Sequence, residues 1–196
     1  MKYEGKVFKG KALLETDELI FRGDHRLTIP FKKMKSVDAD ESELTVVFDG
    51  GTASFTIEKR AEQWQDKILH PKSVLDKLGV KEDSLVSVKG ITDKDFLNQL
   101  TSRAKSVSVK DLREDSDIIF FSADNKKDLE KLNDLKRHLK SNGALWIVSL
   151  KGKRAKIKDT DVMSAGKKAG LVDVKVVSFS ETQTALKFVV PVDGRK

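Results

Sequence analysis

SVSVKDLREDSDIIFF, residues 106–121, sets two runs that read as β-strands on either side of only seven residues, KDLREDS. The first run is short and alternating. The second, DIIFF at 117–121, is apolar on both faces, as a central strand of a parallel sheet is. Parallel strands are joined through a crossover of about a dozen residues or more, usually a helix. Seven residues are too few for a crossover helix plus a further strand, so the surrounding α/β unit is a shortened one.

Outward from this stretch, helix and strand signals alternate from Pro71 onward, the pattern of a three-layer α/β unit. KSVLDKLGV (72–80) reads as a short helix stopped by Gly79, and SLVSV (84–88) as a buried strand. Thr92 then caps a helix, with Asp95 three residues on and Phe96, Leu97 and Leu100 facing the sheet. After DIIFF, a helix carries Leu129, Leu132, Leu135 and Leu139 along one stripe and ends at Asn142-Gly143, read as a left-handed stop. ALWIVSL (144–150) is the fourth strand, and a further helix runs from about Thr160 to Ala169 and stops at Gly170. VDVKVVSF and TALKFVV pair across Ser180–Gln183 as a terminal antiparallel hairpin.

The first seventy residues follow period 2 instead. KVFKGKALLE, ELIFRG, RLTIPF, MKSVDA, ELTVVF and TASFTIE predict six strands in a meander, with Asp49-Gly50-Gly51 as a hairpin turn whose glycines tolerate positive φ. KRAEQWQDKIL, from Lys59, places Ala61, Trp64, Ile68 and Leu69 on one helical face before Pro71 ends the helix. The sequence thus predicts two domains, an α+β unit over 1–70 and an α/β unit over 71–196.

Composition narrows the function classes. The 196 residues are 38% hydrophobic and 35% charged, the balance of a chain with modest cores and a heavily charged surface. No apolar run approaches the roughly 20 residues of a membrane span, and MKYEGKVFKG has no signal-peptide core, so a cytoplasmic protein is expected. Zero cysteines exclude disulfides and thiolate chemistry, and three histidines argue against a metal site. The net charge of +7 is uneven: residues 1–70 carry 12 Lys and Arg against 13 Asp and Glu, so the basic surplus belongs to the second part. An acidic partner is compatible with that surplus.

A strand run closed by one helix with a core-facing Trp64 resembles the pleckstrin-homology-like barrels, including their bacterial and GRAM-type relatives, over residues 2–69. In lipid-binding members the first hairpin supplies Lys and Arg for inositol phosphates. Here that turn reads ETDE, Glu15–Glu18, which argues against phosphoinositide or membrane binding and for protein interaction. The parallel sheet ending in an antiparallel hairpin resembles Rossmann-like methyltransferases. With the third strand and its helix missing, that resemblance implies sheet order 2-1-3-4-6-5, the sixth strand antiparallel. PKSVLDKLGV, SLVSV, DIIFFSA, GALWIVSLKGK, AGLVDVKV and ETQTALKFVV, in that order over 71–190, resemble a bacterial family known only as a domain of unknown function. Its members commonly carry Trp where Gln183 stands here, and a basic residue where Lys151 stands.

The strand-to-helix turn, VKGITD, is where such folds hold a cofactor, but a phosphate or adenosyl loop uses several glycines. Gly90 stands alone, Ile91 and Thr92 fill the approach, and Asp93 adds a charge that repels an anion. Asp111, 21 residues after Gly90, stands where an acid would take ribose hydroxyls. Asp124 and Asn125 read as helix caps. His25, His70 and His138 are not drawn together by any motif. LKGKRAKIK (150–158) places Lys151, Lys153, Arg154, Lys156 and Lys158 after the fourth strand, at the edge where open α/β sheets bind ligands. It has no interleaved aromatics for base stacking. The sequence therefore predicts a non-catalytic binding or scaffold protein with no resident cofactor. Gly90, Asp111 and Ser122 are its candidate cofactor-contacting residues, the 150–158 lysines and Arg154 its candidate anion or partner contacts, and a protein its first expected partner. The alternatives are an S-adenosylmethionine-dependent transferase with an atypical loop, or nucleic-acid binding through 150–158.

Overall fold

Alternation at period 2 folds the first seventy residues into two sheets. The structure, a computed structural model, describes residues 1–194, and the chain divides into units Met1–Lys72 and Ser73 onward. In the first unit, β1 (Lys2–Tyr3), β2 (Lys6–Val7), β3 (Gly10–Leu14), β4 (Glu18–Gly23), β5 (Arg26–Pro30), β6 (Met34–Asp40), β7 (Glu43–Phe48) and β8 (Gly51–Thr56) form sheets of order β2-β1-β8-β7-β6 and β3-β4-β5. These are eight strands among the described residues, where six were expected. The stretch KVFKGKALLE splits because Phe8 bonds back to the Met1 carbonyl at 2.8 Å and Gly10 opens the next strand opposite Gly23. A Cβ added at Gly23 would fall 2.1 Å from the Lys9 carbonyl oxygen, so bare backbone is required there. Helix α1 (Ala61–Leu69) lays Ala61, Trp64 and Ile68 against Leu19, Ile29, Leu44, Val46 and Phe55. Leu69, expected on that face, is 53% exposed, because it is the last helical residue.

The second unit is a six-stranded sheet between two helical layers. It comprises α2 (Val74–Leu78), β9 (Leu85–Lys89), α3 (Lys94–Arg103), β10 (Ser106–Ser108), β11 (Ser116–Ser122), a 3-10 segment (Lys126–Lys131), α4 (Leu132–Arg137), β12 (Leu139–Leu150), α5 (Asp159–Lys168), β13 (Val172–Ser178) and β14 (Gln183–Val189). Strand order is β10-β9-β11-β12-β14-β13. The first four strands are parallel and β14 runs antiparallel to both its neighbours. Renumbered within the unit this is 2-1-3-4-6-5, the order expected. Side chains alternate between two cores. Val86, Val88, Ile118, Phe120, Trp146 and Val148 pack with Leu75, Leu78, Phe96 and Leu100 of α2 and α3 on one face. Ile119, Phe121, Leu145, Ile147, Leu186 and Phe188 pack with Leu129, Leu132, Leu135 and Val162 on the other. Among the described residues no helix is long and apolar enough to cross a membrane.

The return from β10 to β11 is made by extended chain rather than by a helix. Residues 109–115 cross β9 on the second face, where Leu112 packs against that core. A buried hydroxyl pair pins the crossing: Ser87 Oγ accepts the Arg113 N–H at 3.0 Å and lies 2.9 Å from Ser116 Oγ, which donates to the Arg113 carbonyl at 2.9 Å. Both serines are fully buried. Seven residues suffice because β10 is only three residues long, so the chain has little sheet to climb back over.

At the amino edge, Asp117 ties three strands together. Its Oδ2 accepts the Leu85 N–H at 2.8 Å and its Oδ1 accepts Lys140 Nζ at 2.6 Å. Burial pushes the carboxyl up, but the hydrogen bond from Lys140, the Leu85 amide and the Lys140 charge outweigh it and hold it below its ordinary value. Two helix expectations fail near here. The leucine-striped helix ends at Arg137, and Leu139 belongs to β12, reaching the same core from the strand. Gly143 is a strand residue, bare because Leu139 Cδ1 and the Asp117 carbonyl stand 2.8 and 3.0 Å from where its Cβ would be.

Replacing Ser87 with Ala removes the acceptor of the part-buried Arg113 amide and the partner of the buried Ser116 hydroxyl, so urea denaturation should show a loss of about 1–3 kcal/mol; a loss under about 0.5 kcal/mol would mean the crossing is not pinned there. A carboxyl lowered by folding adds stability above its ordinary value, near 3.9, and loses it as pH falls through the folded value. Asp117→Asn should therefore lower stability at pH 7, and the wild-type and variant curves should converge below about pH 4. Curves that stay parallel to pH 2.5 would contradict the role given to Asp117.

Candidate functional site

An open parallel sheet offers its ligand crevice outside the carboxyl ends of the strands, where successive connections leave in opposite directions. In this sheet β9 leads outward to β10 on one side, and the chain then returns past β9 to β11 on the other. The crevice therefore lies at the ends of β9 and β11, with β10 beside β9. Gly90 follows β9, Ser122 ends β11, and Asp111 lies three residues past β10. Neighbouring strands stand about 4.8 Å apart, so the ends of β9 and β11 fall within one small ligand's reach.

The structure brings Gly90 and Ser122 into direct apposition. Gly90 has φ +81°, and a Cβ on it would lie 3.3 Å from Ser122 Cβ and 3.5 Å from the Ser122 carbonyl oxygen. One glycine thus serves both the left-handed turn and the close approach of two loops. Ile91, expected to fill the approach, instead turns into the first core and is 6% exposed. The cap of α3 is Asp93 rather than Thr92: its Oδ1 accepts the Phe96 N–H at 3.0 Å. With Ile91 drawn into the core, Asp93 is the residue that falls at the cap position. Its carboxylate also sits at the positive end of the helix, which favours it there.

Asp111 is exposed, and its backbone carbonyl accepts from Ser108 Oγ at 2.6 Å, fixing the loop while the carboxylate faces solvent. Asn125 caps the 3-10 segment, its Oδ1 accepting the Asp128 N–H at 3.1 Å. Phe179, just past β13, stands 4.6 Å from Phe96 and closes the first core at this edge, with Phe96 edge-on to Phe120 at 5.3 Å. Sequence reading passed over Phe179, although an aromatic directly after an edge strand is a visible signal.

The basic loop divides into a fixed end and an exposed stretch. Lys151 donates to Ser178 Oγ at 2.9 Å, and its backbone N–H bonds the Thr182 carbonyl at 2.9 Å, so it is anchored to the terminal hairpin. Gln183 pairs with Leu150 at the same edge. Lys153, Arg154, Lys156 and Lys158 are exposed, while Ile157 between them is buried. The Lys158 backbone N–H opens α5 by donating to Asp161 Oδ2 at 3.0 Å. That bond and the one from Lys126 hold the Asp161 carboxyl below its ordinary value. Lys151 follows β12, two strands from β9, so the loop borders the crevice from the Ser122 side. The histidines are not assembled: the His25 ring stacks on Phe8 at 4.8 Å, His70 ends α1, and His138 lies at the end of α4.

The chain belongs to the family described as protein of unknown function (DUF3052), whose model matches residues 75–192. No curated protein matches the chain. Among solved structures, a SAM dependent methyltransferase from Aquifex aeolicus is 19% identical, with 60% of this chain and 88% of that one covered, at a TM-score of 0.48. A putative type 11 methyltransferase from Sulfolobus solfataricus is 15% identical, covering 57% and 87%, at 0.44. Magnesium protoporphyrin IX methyltransferase from Synechocystis PCC 6803 is 11% identical, covering 60% and 74%, at 0.45. These are distant likenesses, each below 20% identity.

Gly90→Ala should cost roughly 1–2 kcal/mol for the left-handed backbone, plus the displacement of Ser122. Gly152→Ala, at φ +66° with nothing within 4 Å of its Cβ, should cost the backbone part alone. Equal losses in urea denaturation would show that Gly90 and Ser122 are not in the contact described.

Proposed function

We propose that the second unit is a small-molecule binding domain of the S-adenosylmethionine-dependent transferase class, with its ligand seated across the carboxyl ends of β10, β9 and β11. The observation that supports this reading is the apposition of Gly90 and Ser122 at the topological switch of a sheet ordered 2-1-3-4-6-5. The antiparallel sixth strand is the methyltransferase form of the Rossmann sheet, which is an analogy of fold.

Charge selects among nucleoside ligands. Asp93 occupies the α3 N-terminus, where a dinucleotide would place its pyrophosphate, and Asp111 adds a second carboxylate at the crevice. Two carboxylates disfavour a phosphate and suit a ligand whose reactive end carries a sulfonium and an ammonium. In this reading Asp111 accepts the ribose hydroxyls, as an acid after the second strand does in this fold. Gly90 adds no side chain above the end of β9, and Ser122 adds only a hydroxymethyl group at the end of β11. Bound there, an S-adenosyl sulfonium would supply a methyl group to a nucleophile. The contribution of this chain is to hold and orient the ligand, the principal source of rate in such a transfer. The scaffold reading uses the same carboxyl edge as a contact surface but gives no chemical reason for a glycine pressed against Ser122 there.

For the first unit we infer a pleckstrin-homology-like module used for docking a protein. Its two sheets closed by α1 through Trp64 support the architecture, and the acidic Glu15–Glu18 turn disfavours phosphoinositides.

Isothermal titration should show saturable binding of S-adenosylhomocysteine and none of ATP. Asp111→Ala should weaken binding about 10- to 100-fold, the worth of a hydrogen bond to a charged group. An absence of saturable heat at millimolar ligand, or binding unaffected by Asp111→Ala, would overturn the assignment.

A further inference from the structure

At the opposite, amino edge of the same sheet lies a second cleft, of about 460 Å³, lined among others by Leu78, Lys81, Asp83, Asp117, Lys140 and Lys187. Lys187 is the unusual member. It lies on the first core's face of β14, directly opposite Trp146 on one side and Lys175 on the other. Two ammonium groups directly opposed across a strand pair repel one another, and this pair adjoins a packed core.

The two lysines are not equally provided for. Lys175 donates to the Lys77 carbonyl at the end of α2 at 2.8 Å. Among the described residues no carboxylate or carbonyl takes the Lys187 ammonium, which lies 5.9 Å from the centre of the Trp146 ring. Burial first, and the Lys175 charge second, hold its pKa below the ordinary lysine value. The carboxylates of the cleft do not cancel it. Asp117 spends one oxygen on Lys140 and the other on the Leu85 amide, which leaves Asp83 against Lys81 and Lys187.

We infer that this cleft binds a small oxyanion of the phosphate class, with Lys187 as its principal contact and Lys81 and Lys140 beside it. The ligand supplies the counter-charge that the fold withholds from a half-buried ammonium, and the cleft gives it room. The site is separate from the carboxyl edge and does not depend on the adenosyl reading.

The test is a thermal-unfolding titration with inorganic phosphate, ionic strength held constant with sodium chloride. The wild-type Tm should rise by at least about 2 °C at saturation, since ligand in excess of Kd stabilises the native state and each kcal/mol is worth a few degrees in a chain of this size. Lys187→Met should have a higher Tm than wild type without phosphate and show no rise with it. Lys187→Gln provides a second variant with the same expectation if Met disturbs the packing. A Lys153→Ala/Lys156→Ala variant should respond as wild type does, which separates the cleft from the basic loop. An equal rise in wild type and both Lys187 variants, or no rise in wild type, would overturn the inference.

Discussion

A chain of seven residues between β10 and β11, pinned through the buried Ser87 and Ser116 hydroxyls, constrains everything else in the α/β unit. It forces the return across β9 to be extended, so the second face of the sheet is covered there by Leu112 and not by a helix. It keeps β10 to three residues and makes β9 an interior strand only by the narrowest of neighbours. It also sets where the connections part, because the chain leaves β9 on one side and comes back to β11 on the other. The hydroxyl pair supplies what an extended crossing lacks, partners for backbone groups that would otherwise be buried unpaired.

That constraint places the crevice and, with it, the chemistry. The ends of β9 and β11 converge tightly enough to favour glycine at position 90, with its left-handed φ and Ser122 against it. One glycine here fills roles that longer loops divide among several. Because α3 starts on Asp93, the helix N-terminus is already matched to a carboxylate, and the crevice presents negative charge where nucleotide folds present free amides. The positive charge of the unit is displaced to the neighbouring loop, where Lys151 is tied to Ser178 while Lys153, Arg154 and Lys156 extend into solvent. The two edges of the sheet thus differ in kind. The carboxyl edge carries the capping carboxylate of Asp93 and the exposed Asp111, and the amino cleft carries an ammonium that no carboxylate takes among the described residues.

The sheet order was legible in the sequence through the resemblance to Rossmann-like methyltransferases, shortened by one spacing: seven residues cannot hold a helix, and Ser180–Gln183 joins two β-rich runs as a hairpin. Features fixed by tertiary pairing were not. Leu139 continues the leucine stripe of α4 at a helical interval, yet it reaches the core from β12; the bond between Lys140 and Asp117, 23 residues apart, helps hold that strand start in place. Gly143 resembles a helix stop until the Leu139 side chain is seen in the space its Cβ would need. Thr92 and Asp93 are both good caps, and the choice follows from Ile91 being drawn into the core. At the site, Gly90 and Asp111 were found by their distance from strand ends. Ile91 reads as an obstruction in the sequence because its direction depends on packing, which turns it into the first core. Ser87 did leave a signal, a hydroxyl in the middle of a buried strand, which calls for a partner.

The central claim is that a ligand seats at the β9/β11 switch. It is tested most directly by amide chemical-shift mapping of the ¹⁵N-labelled full chain during titration with S-adenosylhomocysteine. The account predicts saturable shifts at Gly90, Asp111 and Ser122, with the amides of Lys153 to Lys156 unmoved. Shifts confined to the basic loop or to the first unit, or no saturable shift at all, would contradict it.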